Sequence, residues 1–85
     1  MIPKNIKNIH IEMAIEEINL QGVPPKRESK SYLLMYKGQA YPPKYLIAVA
    51  NKYANGQLLD AEAFSGGQES NQFLINLGYT IQSRS

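Results

Sequence analysis

Tyr41-Pro42-Pro43-Lys44, Phe64-Ser65-Gly66-Gly67 and Leu77-Gly78-Tyr79 decide the fold, because each reads as the boundary of a helix. Pro42 and Pro43 push the residues before them toward extended backbone. Proline also suits the first helical position, where its missing N–H would have no intrahelical partner. Tyr41 is therefore expected to end a strand and Lys44 to sit in the first turn of a helix. A lysine there opposes the positive partial charge of a helix N-terminus, a conflict that an external anion would relieve. Ser65 is expected to cap the last helix, with Gln68 completing a capping box. On that reading Gly66 and Gly67 fall in the first helical turn. In a helix interior, glycine is a poorer former than alanine by about 0.8–1 kcal/mol. Close internal packing would account for the pair, and so would a phosphodiester approaching free N–H groups.

Outward from these boundaries, Asn8 is a candidate cap for a helix in which Ile11, Ala14, Ile15 and Ile18 make one apolar stripe. Gly22 and Pro24-Pro25 stop it, and Lys26 to Ser31 reads as an exposed polar loop. Tyr32 to Tyr36 alternates as a strand, and Lys37-Gly38-Gln39 supplies a turn before Ala40-Tyr41, giving a hairpin. The helix opened by Pro43 carries Leu46, Val49, Ala50 and Tyr53 at helical spacing and stops at Asn55-Gly56. Asp60 is placed to cap a short turn through Ala63. Phe73, Leu74 and Leu77 form the apolar face of the last helix before Gly78, and Tyr79 to Ile81 is a candidate closing strand. The expected architecture is one small α+β domain over residues 1–85, in the order helix, hairpin, helix, short helix, helix, strand. A winged-helix-like arrangement is one candidate for it.

Composition narrows the function. At 85 residues and 44% hydrophobic the chain can build one core, near the lower size limit for doing so unaided. There is no cysteine and a single histidine, His10, so a thiolate or histidine-cluster metal site is not expected and no cofactor is indicated. His10 reads as a surface residue rather than a base. Glu16 and Glu17 are adjacent on a helix and do not share a face, and no Gly-Lys-Ser or Gly-Lys-Thr follows the glycines. No catalytic constellation results, and an enzyme is not expected. No apolar run approaches the roughly 18 residues that span a bilayer, so a cytoplasmic protein with no membrane association is expected. The net charge is +2, but its distribution is uneven. Lys26, Arg27, Lys30, Lys37, Lys44 and Lys52 face only Glu28 between residues 22 and 53, a segment that suits a nucleic-acid backbone or an ordinary solvated surface.

The amino-terminal helix, the hairpin leading into Gly38-Gln39-Ala40-Tyr41-Pro42-Pro43-Lys44, then Phe64-Ser65-Gly66-Gly67 and Leu74 through Leu77-Gly78-Tyr79 resemble, over most of the chain, a known family. It is the N-terminal head domain of ScoMcrA-like modification-dependent (type IV) restriction endonucleases. In such proteins the domain precedes modules that read modified DNA and an HNH nuclease, neither of which this chain contains. The resemblance implies a DNA-related role in a restriction, hence phage-defence, system. It also implies as partners double-stranded DNA, plain or modified, and the nuclease and modification-reading modules of the same or a partner chain.

Residues and resemblance together lead to a DNA-binding accessory domain that contacts the backbone. The candidate residues are Lys26, Arg27 and Lys30 in the loop, Lys44, and the helix start Ser65, Gly66, Gly67 and Gln68. Each has a plainer reading beside it: Lys44 as a solvated lysine whose stem covers apolar surface, Ser65 as a cap, the glycines as a packing device. Tyr32, Tyr36, Tyr45 and Tyr53 could stack on bases, but their spacing places most of them in the core or at its edge. The alternative function is a protein–protein interaction module docking other domains or subunits of such a system.

Overall fold

Helix α1 spans Asn8–Gln21, strands β1 and β2 span Tyr32–Tyr36 and Gln39–Tyr41, and helix α2 spans Pro43–Asn55. Helix α3 (Gln68–Asn76) and strand β3 (Thr80–Ser83) complete the chain, with single 3₁₀ turns at Pro25–Arg27 and Ala61–Ala63. The computed structural model describes residues 1–29 and 31–84. The three antiparallel strands lie in the order β2-β1-β3, so the last strand closes against the first, with Leu34 opposite both Tyr41 and Ile81. The expected α+β architecture is the one found.

Local chemistry explains most of the boundaries. Pro43 opens α2 at its first position, and the Leu46 N–H donates to the Pro42 carbonyl at 3.0 Å. The hairpin turn has only two residues, Lys37 and Gly38, both at positive φ (49° and 79°), as a turn matching the strand twist requires. Asp60 Oδ1 accepts from the Glu62 N–H and caps its short turn as expected. Past α3, the Tyr79 N–H reaches the Leu74 carbonyl and the Gly78 N–H the Ile75 carbonyl, the paired bonds of a Schellman stop.

Two caps differ from expectation. Asn8 is the first residue of α1 rather than its cap. Its side-chain amide donates to the Leu77 carbonyl at 2.8 Å, tying α1 to the end of α3. The backbone N–H of Lys7 is taken instead by His10 Nδ1 at 2.9 Å. At α3 the cap is Gly67, not Ser65, and the two glycines precede the helix. Glu69, one residue later than the expected Gln68, accepts from the Ser65 N–H at 2.7 Å, and Ser70 Oγ donates to the Ser65 carbonyl at 2.5 Å. The reason lies in Gly67, whose φ of 60° and ψ of −123° belong to a conformation that side chains strongly disfavour.

The core gathers around α2, in which every residue from Leu46 to Asn51 is buried. The α1 stripe of Ile11, Ala14, Ile15 and Ile18 packs on it, with Leu34 from β1, Phe64 before α3 and Leu74 within it. Ile2 and Ile6, which carried no pattern in the sequence, are buried too. Tyr53 instead lies at the surface, where its hydroxyl donates to Glu17 Oε1 at 2.6 Å beside the Lys52–Glu17 ion pair. The Lys52 and Tyr53 hydrogen bonds hold the Glu17 carboxyl below its ordinary pKa.

Gly67→Ala should destabilise the domain by about 1–3 kcal/mol through its disfavoured backbone. Gly66→Ala, whose methyl would meet Lys44 Cδ at an ordinary 3.5 Å, should change stability by no more than about 0.5 kcal/mol. Thermal melting of the two single variants checks this, and equal melting points would contradict it.

Candidate nucleic-acid interface

The start of α2, the turn before α3 and the loop after α1 converge on one cavity of about 280 Å³. Its walls include Lys26 and Arg27 from the loop, Lys44 from the first turn of α2, and Gly66 and Gly67 ahead of α3. Five of the residues expected at a DNA surface are thus brought together from three separate segments of the chain. Ser65 and Gln68 are exposed beside the cavity and do not line it. Lys30 lies outside the described residues.

Two of the three cations are fixed by aromatic faces. Lys44 Nζ lies 5.2 Å from the centre of the Phe64 ring, and Arg27 Cζ lies 5.3 Å from that of Tyr45. The expected conflict between Lys44 and the α2 dipole therefore finds an internal relief in the negative face of Phe64. Lys44 is accordingly half-buried rather than free in solvent. Lys26 is exposed, and Glu28 is the one acidic residue lining the cavity among the described residues. At the rim of α3 the Glu69 carboxylate already occupies the Ser65 N–H. The basic character of the cavity therefore comes from the loop and from α2, not from the start of α3.

Asn71, which lines the cavity, and Arg84, which ties down its loop without lining it, had no recognisable signal in the sequence. Arg84 follows β3, and the pairing of Tyr32 with Ser83 sets it beside the loop. There its N–H donates to the Ser31 carbonyl at 2.7 Å and Nη1 to the Ser29 carbonyl at 2.6 Å. Finding it required the strand register. Asn71, one turn into α3, lines the cavity beside the glycines, and its N–H donates to the Gly67 carbonyl at 2.8 Å.

Fold and site together define a small α+β domain with a basic cavity where its elements begin. The family model described as the ScoMcrA-like N-terminal head domain matches residues 4–83. The chain therefore belongs to that family, the N-terminal head domain of ScoMcrA-like restriction proteins, in which this domain is accessory and not the catalytic one. No match was found among curated proteins or among solved structures. Among the described residues, no helix is long and apolar enough to cross a membrane.

Lys44→Ala should lower stability by about 0.5–1 kcal/mol, the scale of an exposed cation–π contact, and Lys44→Arg should restore it. Chemical denaturation of the two variants measures this. A loss of several kcal/mol in Lys44→Ala would make the lysine a structural residue.

Proposed function

We propose that this head domain binds the backbone of double-stranded DNA, with little sequence preference, as the accessory part of a modification-dependent restriction system. The observation that supports this is the convergence of Lys26, Arg27 and Lys44 on one cavity beside Gly66 and Gly67. Cations set around a concave surface attract a polyanion, and phosphate contacts position a protein without reading sequence. Base or modification reading would fall to partner modules, including those that act with an HNH nuclease. Restriction acts on DNA inside the cell, so a cytoplasmic location is part of the same proposal.

The outer face of α1 favours the interaction-module reading as a second role on a separate surface. Ile9, Met13 and Leu20 are 63%, 41% and 79% exposed, and they recur at helical spacing on the side away from the core stripe. Met13 and Leu20 line a groove with Tyr53, Glu16 and Glu17. An exposed apolar groove whose charged rim, Glu16, Glu17 and Lys52, carries no excess of cations suits another domain or subunit of the system better than it suits DNA.

Salt dependence tests the first reading. Replacing Lys26 and Lys44 with alanine should weaken duplex binding and flatten the plot of log affinity against log salt by roughly 0.9 for each phosphate no longer neutralised. An unchanged slope, measured by fluorescence anisotropy on a labelled duplex, would remove these residues from the interface. The separation of the two faces has its own test. Met13→Gln combined with Leu20→Gln should leave duplex affinity and salt slope unaltered, because neither residue lines the basic cavity and the net charge does not change. Failure of that variant to bind duplex would merge the faces into one.

A further inference from the structure

The basic cavity contains an unfilled hydrogen-bonding requirement that a phosphodiester alone does not meet. Among the described residues, Arg27 Nη2 and Asn71 Oδ1 are both shielded from water and have no hydrogen-bond partner, and both residues line the cavity. Buried polar atoms are paired in the great majority of folded proteins, so each of these calls for a partner. They are of opposite kinds. The guanidinium nitrogen only donates, whereas the amide oxygen only accepts. A phosphodiester at neutral pH offers acceptors and can answer Arg27, Lys26 and Lys44, but it has no proton for Asn71.

We propose that the cavity receives a single nucleoside monophosphate unit of a DNA strand, a deepening that rests on the DNA-binding reading above. The phosphate lies among Lys26, Arg27 and Lys44. A base N–H, or the sugar hydroxyl of a strand end, donates to Asn71 Oδ1 once the two side chains turn toward the ligand. Size agrees with this. A volume of about 280 Å³ sits at the lower edge of the roughly 300–1,000 Å³ of small-molecule sites, enough for one such unit and not for a run of them. Tyr32 also lines the cavity and is 38% exposed, so its ring offers the flat face on which a base stacks without regard to sequence.

The test is a titration of the whole chain, at about pH 7.5 where a phosphate monoester is almost wholly its proton-free dianion, with methyl phosphate, deoxycytidine, deoxycytidine 5′-monophosphate and a short duplex. It is followed by NMR at the Gly66 and Gly67 backbone amides and the Asn71 side-chain amide. The monophosphate should bind with a dissociation constant of about 1 mM or tighter, and methyl phosphate and deoxycytidine each about tenfold more weakly. Asn71→Leu should bring the monophosphate down to the level of methyl phosphate while leaving the methyl phosphate response in place. Equal affinities for methyl phosphate and the nucleoside monophosphate would overturn the proposal and leave a plain anion cradle, and so would the absence of shifts at these three positions. The comparison of ligands on the unaltered chain decides the matter even if Asn71→Leu does not fold. Duplex binding without monophosphate binding would discard this inference and keep the backbone reading. The reverse result would discard the backbone reading and, with it, a DNA strand as the source of the nucleotide, leaving a site for a free nucleotide.

Discussion

The burial of α2 on every side is the constraint from which the rest of the structure follows. Six consecutive residues, Leu46 to Asn51, are buried, which a helix can achieve only if neighbours cover its whole circumference. In a chain of 85 residues those neighbours must be thin, and each covers one side. They are the α1 stripe, Leu34 of the central strand, the returning segment that ends at Phe64, and Leu74 of α3. Ala48 and Ala50 let these layers come close. Even the polar member of the run serves the enclosure. Asn51 donates to the Gln57 carbonyl at 2.8 Å and accepts from Asn55 at 2.6 Å, holding the chain that turns back along the helix. Asn55 in turn pairs with Asn5, which anchors the segment carrying Ile2 and Ile6.

A helix enclosed in this way meets the surface only at its ends, and that places the candidate site. The first turn of α2 emerges where the loop after α1 and the glycine turn before α3 must also pass. Lys44 therefore arrives beside Arg27 and Gly66 because of how the core is covered. The aromatic rings that receive the cations are part of the same covering. Phe64 is buried against α2 and still presents a face to Lys44, and Tyr45, next along α2, does so for Arg27. Cations held over rings keep their charge while losing some of their freedom, so an anion entering the cavity has less disorder to remove.

What the sequence made legible was local. Prolines at a helix start, glycines after helix ends, the alternation of Tyr32 to Tyr36 and the stripe from Ile11 to Ile18 each act within a few residues, and each appears as read. The Ser65 cap did not, because the deciding fact was the backbone conformation of Gly67, and composition alone does not distinguish a glycine inside a helix from one ahead of it. Tyr53 has core spacing on α2, yet at the surface its hydroxyl bonds to Glu17 of α1, beside Lys52. For the site, the charge cluster and the helix starts pointed to Lys26, Arg27, Lys44, Gly66 and Gly67, but their meeting in one cavity is a product of packing. Arg84 and Asn71 were silent, since the first depends on strand register and the second on which face of α3 turns inward.

Charge is divided between two faces in a way that bears on orientation. The cavity gathers Lys26, Arg27 and Lys44 around a single acidic residue, whereas the outer side of α1 carries Glu12, Glu16 and Glu17 among exposed apolar residues. Of the lysines beside that face, Lys52 is paired with Glu17 and Lys37 shares a groove with Glu12 and Glu16, so the acidic excess there is small. A polyanion approaching at random is attracted by the cavity side and not by the other, so in the proposed DNA complex the α1 face is turned away from the duplex. The apolar residues of α1 then remain open while the cavity is occupied. On the proposed function, such a domain would hold DNA and a neighbouring module at once.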